Sequence, residues 1–506
     1  MTRNQRRPKQ NPTTMKTKIV QRPLLTLTLL IAVVLLSTQL NTQAQHNIRG
    51  VRTYSGNLSD GATYVIEVPR NWNGTLLLYT QGYAFGTPVP AVDTADASGI
   101  PGDPLLRFYL LTHGYALAGS SASIGWRVHE ALSEQIEVLD TVDMLIGQPS
   151  RTIAWGHSLG GLISAGLIQQ YPERFSGALL MSGVVGGSVG IWNQFLDAAF
   201  ALKTLLGPES GLQIVNIGDP DANFSLAEEI LTAAQATREG RARIALVAAL
   251  MDLPGWIEPF SGLAYVPTPE PCPTDYVTQE ANQFLEFQQG VDFVAFFFFR
   301  AELEARAGGN PSWNTDVDYR DQLALSIDYT EVRELYNQAG LDLDTDLEAL
   351  NNASRIAADS VALDYLSQNI IFNGQIQVPV LTLHTTDDEL VTVENEQAYA
   401  DVVARAGNSA LLRQIFVHRA GHANFTEAET IAALQALNQR LDTGTWQNLD
   451  PEDLNTAAHR LGARYNVLFY CYLCSDFDEG VRIRMAPAFV NYVPAPFLRP
   501  YDAFTP

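Results

Sequence analysis

Cysteine is scarce in this chain of 506 residues: Cys272, Cys471 and Cys474 are all there is. Three thiols allow at most one intramolecular bridge, which excludes a small scaffold held together by disulfides. Cys471 and Cys474 have the spacing of half a zinc site or of a redox pair, yet a structural zinc needs four ligands and no second pair follows. No metal and no organic cofactor is implied. Positive charge is scarce as well, with 32 basic against 55 acidic residues. Acid is absent from the first 44 residues, which hold Arg3, Arg6, Arg7, Lys9, Lys16, Lys18 and Arg22. Beyond them stand 25 basic and 55 acidic residues, a net of −30. Such a surface repels phosphate backbones, so a nucleic-acid partner is not expected. No segment repeats with a period of 20–50 residues, which argues against solenoids and propellers.

The basic start leads into an apolar run, Leu24–Leu36, and then a polar stretch ending in Thr42-Gln43-Ala44. The run falls short of the roughly 20 residues of a membrane span. Basic region, short apolar core and small residues at the cut predict a signal peptide over residues 1–44. The protein is therefore expected in the periplasm or outside the cell, with no membrane association once the signal is cleaved; a retained anchor is the alternative.

After the leader, short apolar runs alternate with helical spacing. Ala62–Val68 alternates, and Thr75–Tyr79 is continuously apolar, as a buried parallel strand requires. A strand lies within Tyr109–Gly119, a helix over His129–Ile146, a strand at Arg151–Trp155, a helix at Leu159–Tyr171 and a strand at Gly177–Met181. This alternation predicts an α/β fold with a mostly parallel sheet flanked by helices. It stops near Val185. The pattern to Ile376 is helical, including Ala227–Ala236, Arg241–Met251, Gln279–Ala307 and Leu347–Gln368. It resumes with strands at Val378–His384 and Leu411–Val417 and helices at Glu394–Ala406 and Glu427–Leu441. The organisation expected is a core in two segments, 45–185 and 377–442, with a large helical cap inserted at 186–376. A tail at 443–506, without an assignable element, packs on the core. The aromatic run Phe293–Arg300 in the cap reads either as a pocket wall or as cap core.

The chemistry centres on Gly156-His157-Ser158-Leu159-Gly160. A bare Gly-x-Ser-x-Gly should arise by chance about 0.2 times in a chain of this length. Here it sits between a strand and a helix, the turn that thrusts a serine hydroxyl out of a sheet edge. Ser158 is thus the candidate nucleophile, and it needs a base. Of eight histidines, His422 is preferred, on a loop just past a strand with Gly421 beside it; His418 competes. The acid that orients the base is expected just beyond the Val378–His384 strand, where Asp387 and Asp388 are adjacent. Asp388 is preferred. The order Ser, Asp, His differs from those of chymotrypsin and subtilisin. An oxyanion would be held by the N–H of Leu159 and by the loop after the Thr75–Tyr79 strand, from Tyr83 with Gly82 next.

The segments Val68–Gly74 with Tyr79–Tyr83, Gly156–Gly160, Leu383–Val391, His418–Thr426 and Pro494–Pro500 together resemble secreted bacterial α/β-hydrolases, a group of esterase- and peptidase-like serine enzymes. The resemblance runs along nearly the whole chain beyond the leader. It implies the α/β-hydrolase fold and a triad of Ser158, Asp388 and His422. Gln81 and Asp387 depart from the residues common in that group. The expected activity is hydrolysis of a small carboxylic ester through an acyl-enzyme. A peptidase or amidase activity, or an inactive binding protein, is the alternative. Neither the natural substrate nor the oligomeric state is legible.

Overall fold

A computed structural model of the protein describes residues 49–83, 104–121, 125–257, 271–289, 292–368, 370–470 and 481–505. The leader, Cys471 and Cys474 lie outside these residues. The strands are β1 (Val51–Asn57), β2 (Thr63–Pro69), β3 (Thr75–Thr80), β4 (Ala116–Ser120), β5 (Arg151–His157), β6 (Gly177–Met181), β7 (Val380–Asp387), β8 (Leu412–Ala420), β9 (Val467–Tyr470), β10 (Val481–Arg484) and β11 (Phe489–Val490). Nine of them form one sheet in the order β1-β2-β4-β3-β5-β6-β7-β8-β11, and β9 and β10 pair separately.

The six strands from β4 to β8 in that order run parallel, whereas β1, β2 and β11 join antiparallel. This is the α/β-hydrolase architecture. The chain leaves β3 for β4 on one side and returns to β5 on the other. The strand order therefore reverses between β3 and β5, which opens a crevice at their carboxyl ends.

Alternation within the parallel strands gives each face its own core. Leu77, Ile153, Trp155, Leu179, Leu381, Ile415 and Val417 share one cluster with Ile431, Leu434 and Leu437 of the helix Glu427–Thr443. The opposite face packs on the helix Leu159–Gln170, whose first ten residues are all buried. The helix Val128–Ile146 follows β4 as its spacing predicted.

Among the described residues, only helices lie between β6 and β7. Asp219 and Thr237 cap two of them, Pro220–Gln235 and Arg238–Ala249, with their side chains. The helical pattern expected over Leu347–Gln368 is in fact two helices, Leu343–Asn352 and Ser360–Gln368. Between them the backbone bonds elsewhere: Ile356 N–H donates to Asn314 Oδ1 at 2.8 Å, and Asp359 N–H to the Asn310 carbonyl at 2.8 Å. The aromatic run is mainly core. Phe293, Phe296 and Phe297 are buried; the first two pack on Phe287 and the third on Phe293, while Phe299 stacks on Tyr83 with ring centroids 4.1 Å apart. Its backbone widens into a π-helical turn over Ala295–Phe299.

The unassigned tail contains the helix Pro451–Arg460, with Pro451 at its first position, and β11, which extends the sheet beside β8. Among the described residues, no helix is long and apolar enough to cross a membrane.

Candidate active site

The Gly-x-Ser-x-Gly turn lies where β5 hands over to the helix Leu159–Gln170. Ser158 has φ 59° and ψ −130°, a left-handed conformation that a side chain adopts only when its surroundings impose it. They do so here: Ser158 N–H donates to the carbonyls of Met181 and Ser182 at 3.0 and 3.1 Å, pinning the turn to the end of β6. Gly156 and Gly160 exist for close approach. A β-carbon on either would overlap the Thr80 carbonyl oxygen at the end of β3. The elbow and the β3 loop therefore pack backbone to backbone.

That packing carries the next residues of the loop to Ser158. A β-carbon on Gly82 would lie 3.1 Å from Ser158 Cβ and 3.6 Å from its Oγ. Tyr83 follows, with its hydroxyl donating to Glu302 Oε2 at 3.2 Å. Glu302 also accepts the Trp126 N–H at 3.0 Å and Arg306 Nε at 2.7 Å, so one carboxylate ties the loop to the helical segment. Leu159 opens its helix, where an N–H has no intrahelical acceptor and is available to an anion.

Asp388 and His422 are joined. His422 Nδ1 lies 2.9 Å from each Asp388 oxygen. Asp388 Oδ1 also accepts the Leu390 and Val391 N–H groups at 3.2 and 2.9 Å. Asp387 instead accepts the Thr386 hydroxyl at 2.7 Å. His418, the competing histidine, faces that same hydroxyl at 3.2 Å and packs against Trp256. The Nε2 atom of His422 is covered and has no hydrogen-bond partner.

Electrostatics follow this pairing. Burial favours a neutral Asp388, but the His422 and His384 rings outweigh it and hold the carboxyl below its usual range. Burial also opposes charge on His422, and Asp388 overcomes it, so the imidazole is a stronger base than usual. His157, before Ser158, is held down to about 4 by burial and by the His422 charge. Its Nδ1 meets the Tyr79 hydroxyl at 3.0 Å.

Sequence reasoning missed two acids here. Glu389 Oε1 accepts the His422 backbone N–H at 3.2 Å, while its Oε2 has no partner. Burial and Asp388 push its carboxyl up to about 7. Asp292 is fully buried with neither oxygen bonded, and burial with the Glu389 and Asp388 charges lifts it well above the ordinary range. Glu389 stood in the same loop as Asp388, and its position was a usable signal. Nothing in the sequence ties Asp292 to that loop. Among the described residues, no group of three or more His, Cys, Asp or Glu is arranged to hold a metal ion.

The Esterase family model matches residues 126–250 of this chain, the stretch that holds the elbow. The chain is 33% identical over 433 residues to the o-phthalyl amidase of Xanthobacter agilis, covering 80% of this chain and 90% of that protein. Solved structures similar to it include feruloyl esterase B from Aspergillus oryzae, at 14% identity and TM-score 0.38, covering 79% of this chain and 81% of that one. Another is the rice cell wall degrading esterase LipA from Xanthomonas oryzae, at 16% identity and TM-score 0.33, covering 78% and 89%.

Proposed function

Since this chain belongs to the α/β-hydrolase family of the o-phthalyl amidase from Xanthobacter agilis, we propose that it is an exported serine hydrolase that cleaves a carboxylic ester through an acyl-enzyme on Ser158. One observation carries this reading. His422 is held by Asp388 through Nδ1, its other nitrogen is left without a partner, and its charge bears on His157, the residue before the strained serine turn. A ring fixed in that tautomer is a base waiting for a hydroxyl. Export rests on the basic and apolar leader.

In this mechanism the Ser158 hydroxyl attacks the substrate carbonyl as His422 Nε2 takes its proton. Asp388 holds the ring and balances the imidazolium. The negative oxygen is met by the N–H of Leu159 and by the Gly82–Tyr83 backbone. His422 returns its proton to the leaving alkoxide, and an acyl-serine remains. Water, deprotonated by His422, then releases the acid. The helical insertion at 186–376 selects the substrate, reaching the oxyanion loop through Tyr83, Phe299 and Glu302.

A fluorophosphonate probe should label the protein at Ser158, and Ser158→Ala should abolish the labelling. Labelling that survives this change sinks the assignment. A second reading, an amide substrate, is favoured by the relative named an amidase. The same residues serve it, with a heavier demand on His422 to protonate a poor leaving group. Rates on p-nitrophenyl esters against matched nitroanilides divide the two readings.

A further inference from the structure

His384 lies in β7 beneath Asp388, fully buried, and each of its ring nitrogens faces an oxygen. Nδ1 is 2.9 Å from Glu396 Oε1. Nε2 is 2.8 Å from the Val391 carbonyl oxygen and 3.5 Å from Asp388 Oδ2. A carbonyl oxygen carries no proton, so Nε2 must carry one. That leaves a single proton to place between Nδ1 and Glu396. The other Glu396 oxygen already accepts the Thr382 hydroxyl at 2.6 Å and Gln414 Nε2 at 2.5 Å. The Gln414 amide is oriented by a second bond, from the same nitrogen to the Glu396 carbonyl at 2.8 Å. Glu396 is thus solvated as a carboxylate is. Imidazole is also the stronger base of the two by about two pK units, and the Asp388 charge on the far side of the ring favours the cation further.

We propose that His384 is a positioning residue of this site, an imidazolium at neutral pH that braces Asp388 from behind and extends Ser158, His422 and Asp388 into a chain of five with His384 and Glu396. The inference rests on the triad reading above. The two charged groups that flank the ring, Asp388 and Glu396, both favour the cation. Glu394, which also bears on it, is pushed well above the ordinary carboxyl range by burial and keeps its proton, and His422, beyond Asp388, is the one group whose charge would oppose it. Burial opposes charge on His384, but the two flanking carboxylates prevail and lift it to about 10.

The cation has two effects on catalysis. It keeps Asp388 ionised and turned toward His422. It also partly cancels the Asp388 charge felt by His422, so the base is not driven so high that it stays protonated at neutral pH. An apolar or neutral residue at 384 would lose both.

The test uses the whole protein with ¹⁵N-labelled histidine. At pH 8 the His384 ring, assigned by its disappearance in His384→Gln, should show two protonated nitrogens, and it should keep them until the pH approaches 10. In His384→Gln the acid limb of the kcat/KM profile should move up by about one unit, with kcat reduced and KM little changed. A bare ring nitrogen on His384 at pH 8 overturns the inference, as does an unmoved acid limb in a folded variant. If either occurs while Ser158 still takes the fluorophosphonate label, only the role of His384 falls. If labelling does not depend on Ser158, the proposed function falls and takes the positioning role with it, whatever the ring titration shows.

Discussion

Asp388 turns both of its oxygens to one nitrogen of His422, at 2.9 Å each, while Asp387, its neighbour in the chain, bonds Thr386. Adjacent residues at a strand end point to opposite sides, so the two acids are not interchangeable. Asp388→Asn should lower kcat on the order of 10⁴-fold, because an amide stabilises the wrong tautomer of the base. Asp387→Asn should leave kcat within a few-fold. Initial rates on one p-nitrophenyl ester decide it, and equal losses in the two variants would refute the assignment of Asp388.

In the proposed mechanism His422 must be neutral to take the serine proton, so its titration should set the acid limb of activity. Asp388 raises its pKa despite burial. Activity should therefore be lost as pH falls through a value above the ordinary histidine figure of about 6.5. A kcat/KM profile over pH 5–9 measures that midpoint. One at or below the ordinary figure contradicts the pairing.

Stability should depend on pH in the opposite sense from most proteins. Burial lifts Glu134 to about 8, Asp252 to about 7, Glu331 to about 8 and Glu389 to about 7. These acids hold protons in the folded state that the unfolded chain releases above about pH 4.5. The folded state binds more protons, so stability falls as pH rises from there to about 8. His384 acts in the same direction. Its folded pKa is about 10, so its contribution is full below about 6.5 and is lost toward pH 10. Asp388 opposes the trend, but its pKa is lowered, so its contribution is lost only in strong acid. Melting temperature should drop steadily between pH 5 and pH 8, and Glu134→Gln should flatten that slope.

The sheet was legible because buried parallel strands read as short apolar runs: Gly177–Met181 was placed to the residue, and Thr75–Tyr79 to within one. The strained turn at Ser158 was legible because it needs glycines at 156 and 160, which the sequence displays. The break between the helices Leu343–Asn352 and Ser360–Gln368 was not. It is made by Asn310 and Asn314, upstream of the first of these helices, whose bonds to that backbone leave no periodic trace. β11 was missed because two residues are too few to show alternation, and it exists only because the edge of β8 offers it a ladder. His384 could be seen as the end of a strand, but its charge state is fixed by Glu396 on the next helix and by the Val391 carbonyl. Tertiary contacts supply both.

Packing at the elbow makes Gly82 and Gly160 separable. A β-carbon on Gly160 would overlap the Thr80 carbonyl, which is backbone and has little room to yield. Gly160→Ala should cost stability at the upper end of about 1–3 kcal/mol, the usual range for overpacking. On Gly82 the added carbon comes closest to Ser158 Cβ, at 3.1 Å, with the His157 carbonyl oxygen at 3.5 Å and Ser158 Oγ at 3.6 Å, so no backbone atom is overlapped. Gly82→Ala should fold with a melting temperature close to that of the parent, yet react with the fluorophosphonate probe at least about tenfold more slowly, as a misplaced oxyanion donor would require. Normal labelling kinetics in that variant would remove Gly82 from the site.

The loop that presents His422 is held from below by Arg419 and Glu429. Arg419 spans it, bonding the Asn424 carbonyl at 2.8 Å and both Glu429 oxygens at 2.7 and 3.1 Å. Glu429 also accepts the N–H groups of Thr426 and Ala488, at 2.8 and 2.9 Å. Both side chains are buried, and removing one partner of such a pair leaves the other charge without compensation, at a cost of about 3–5 kcal/mol. Glu429→Ala should destabilise the protein by that amount in urea unfolding. Because the lost bonds bracket residues 420–426, kcat should fall further than the folded fraction alone explains. Arg419→Met should do the same. Arg241 and Glu280 provide the control: they form another ion pair with a fully buried carboxylate, in the helical insertion. Arg241→Met should weaken the fold while the surviving folded protein keeps its kcat. If Glu429→Ala loses stability but its folded fraction turns over at the parent rate, the brace holds the fold and not the base.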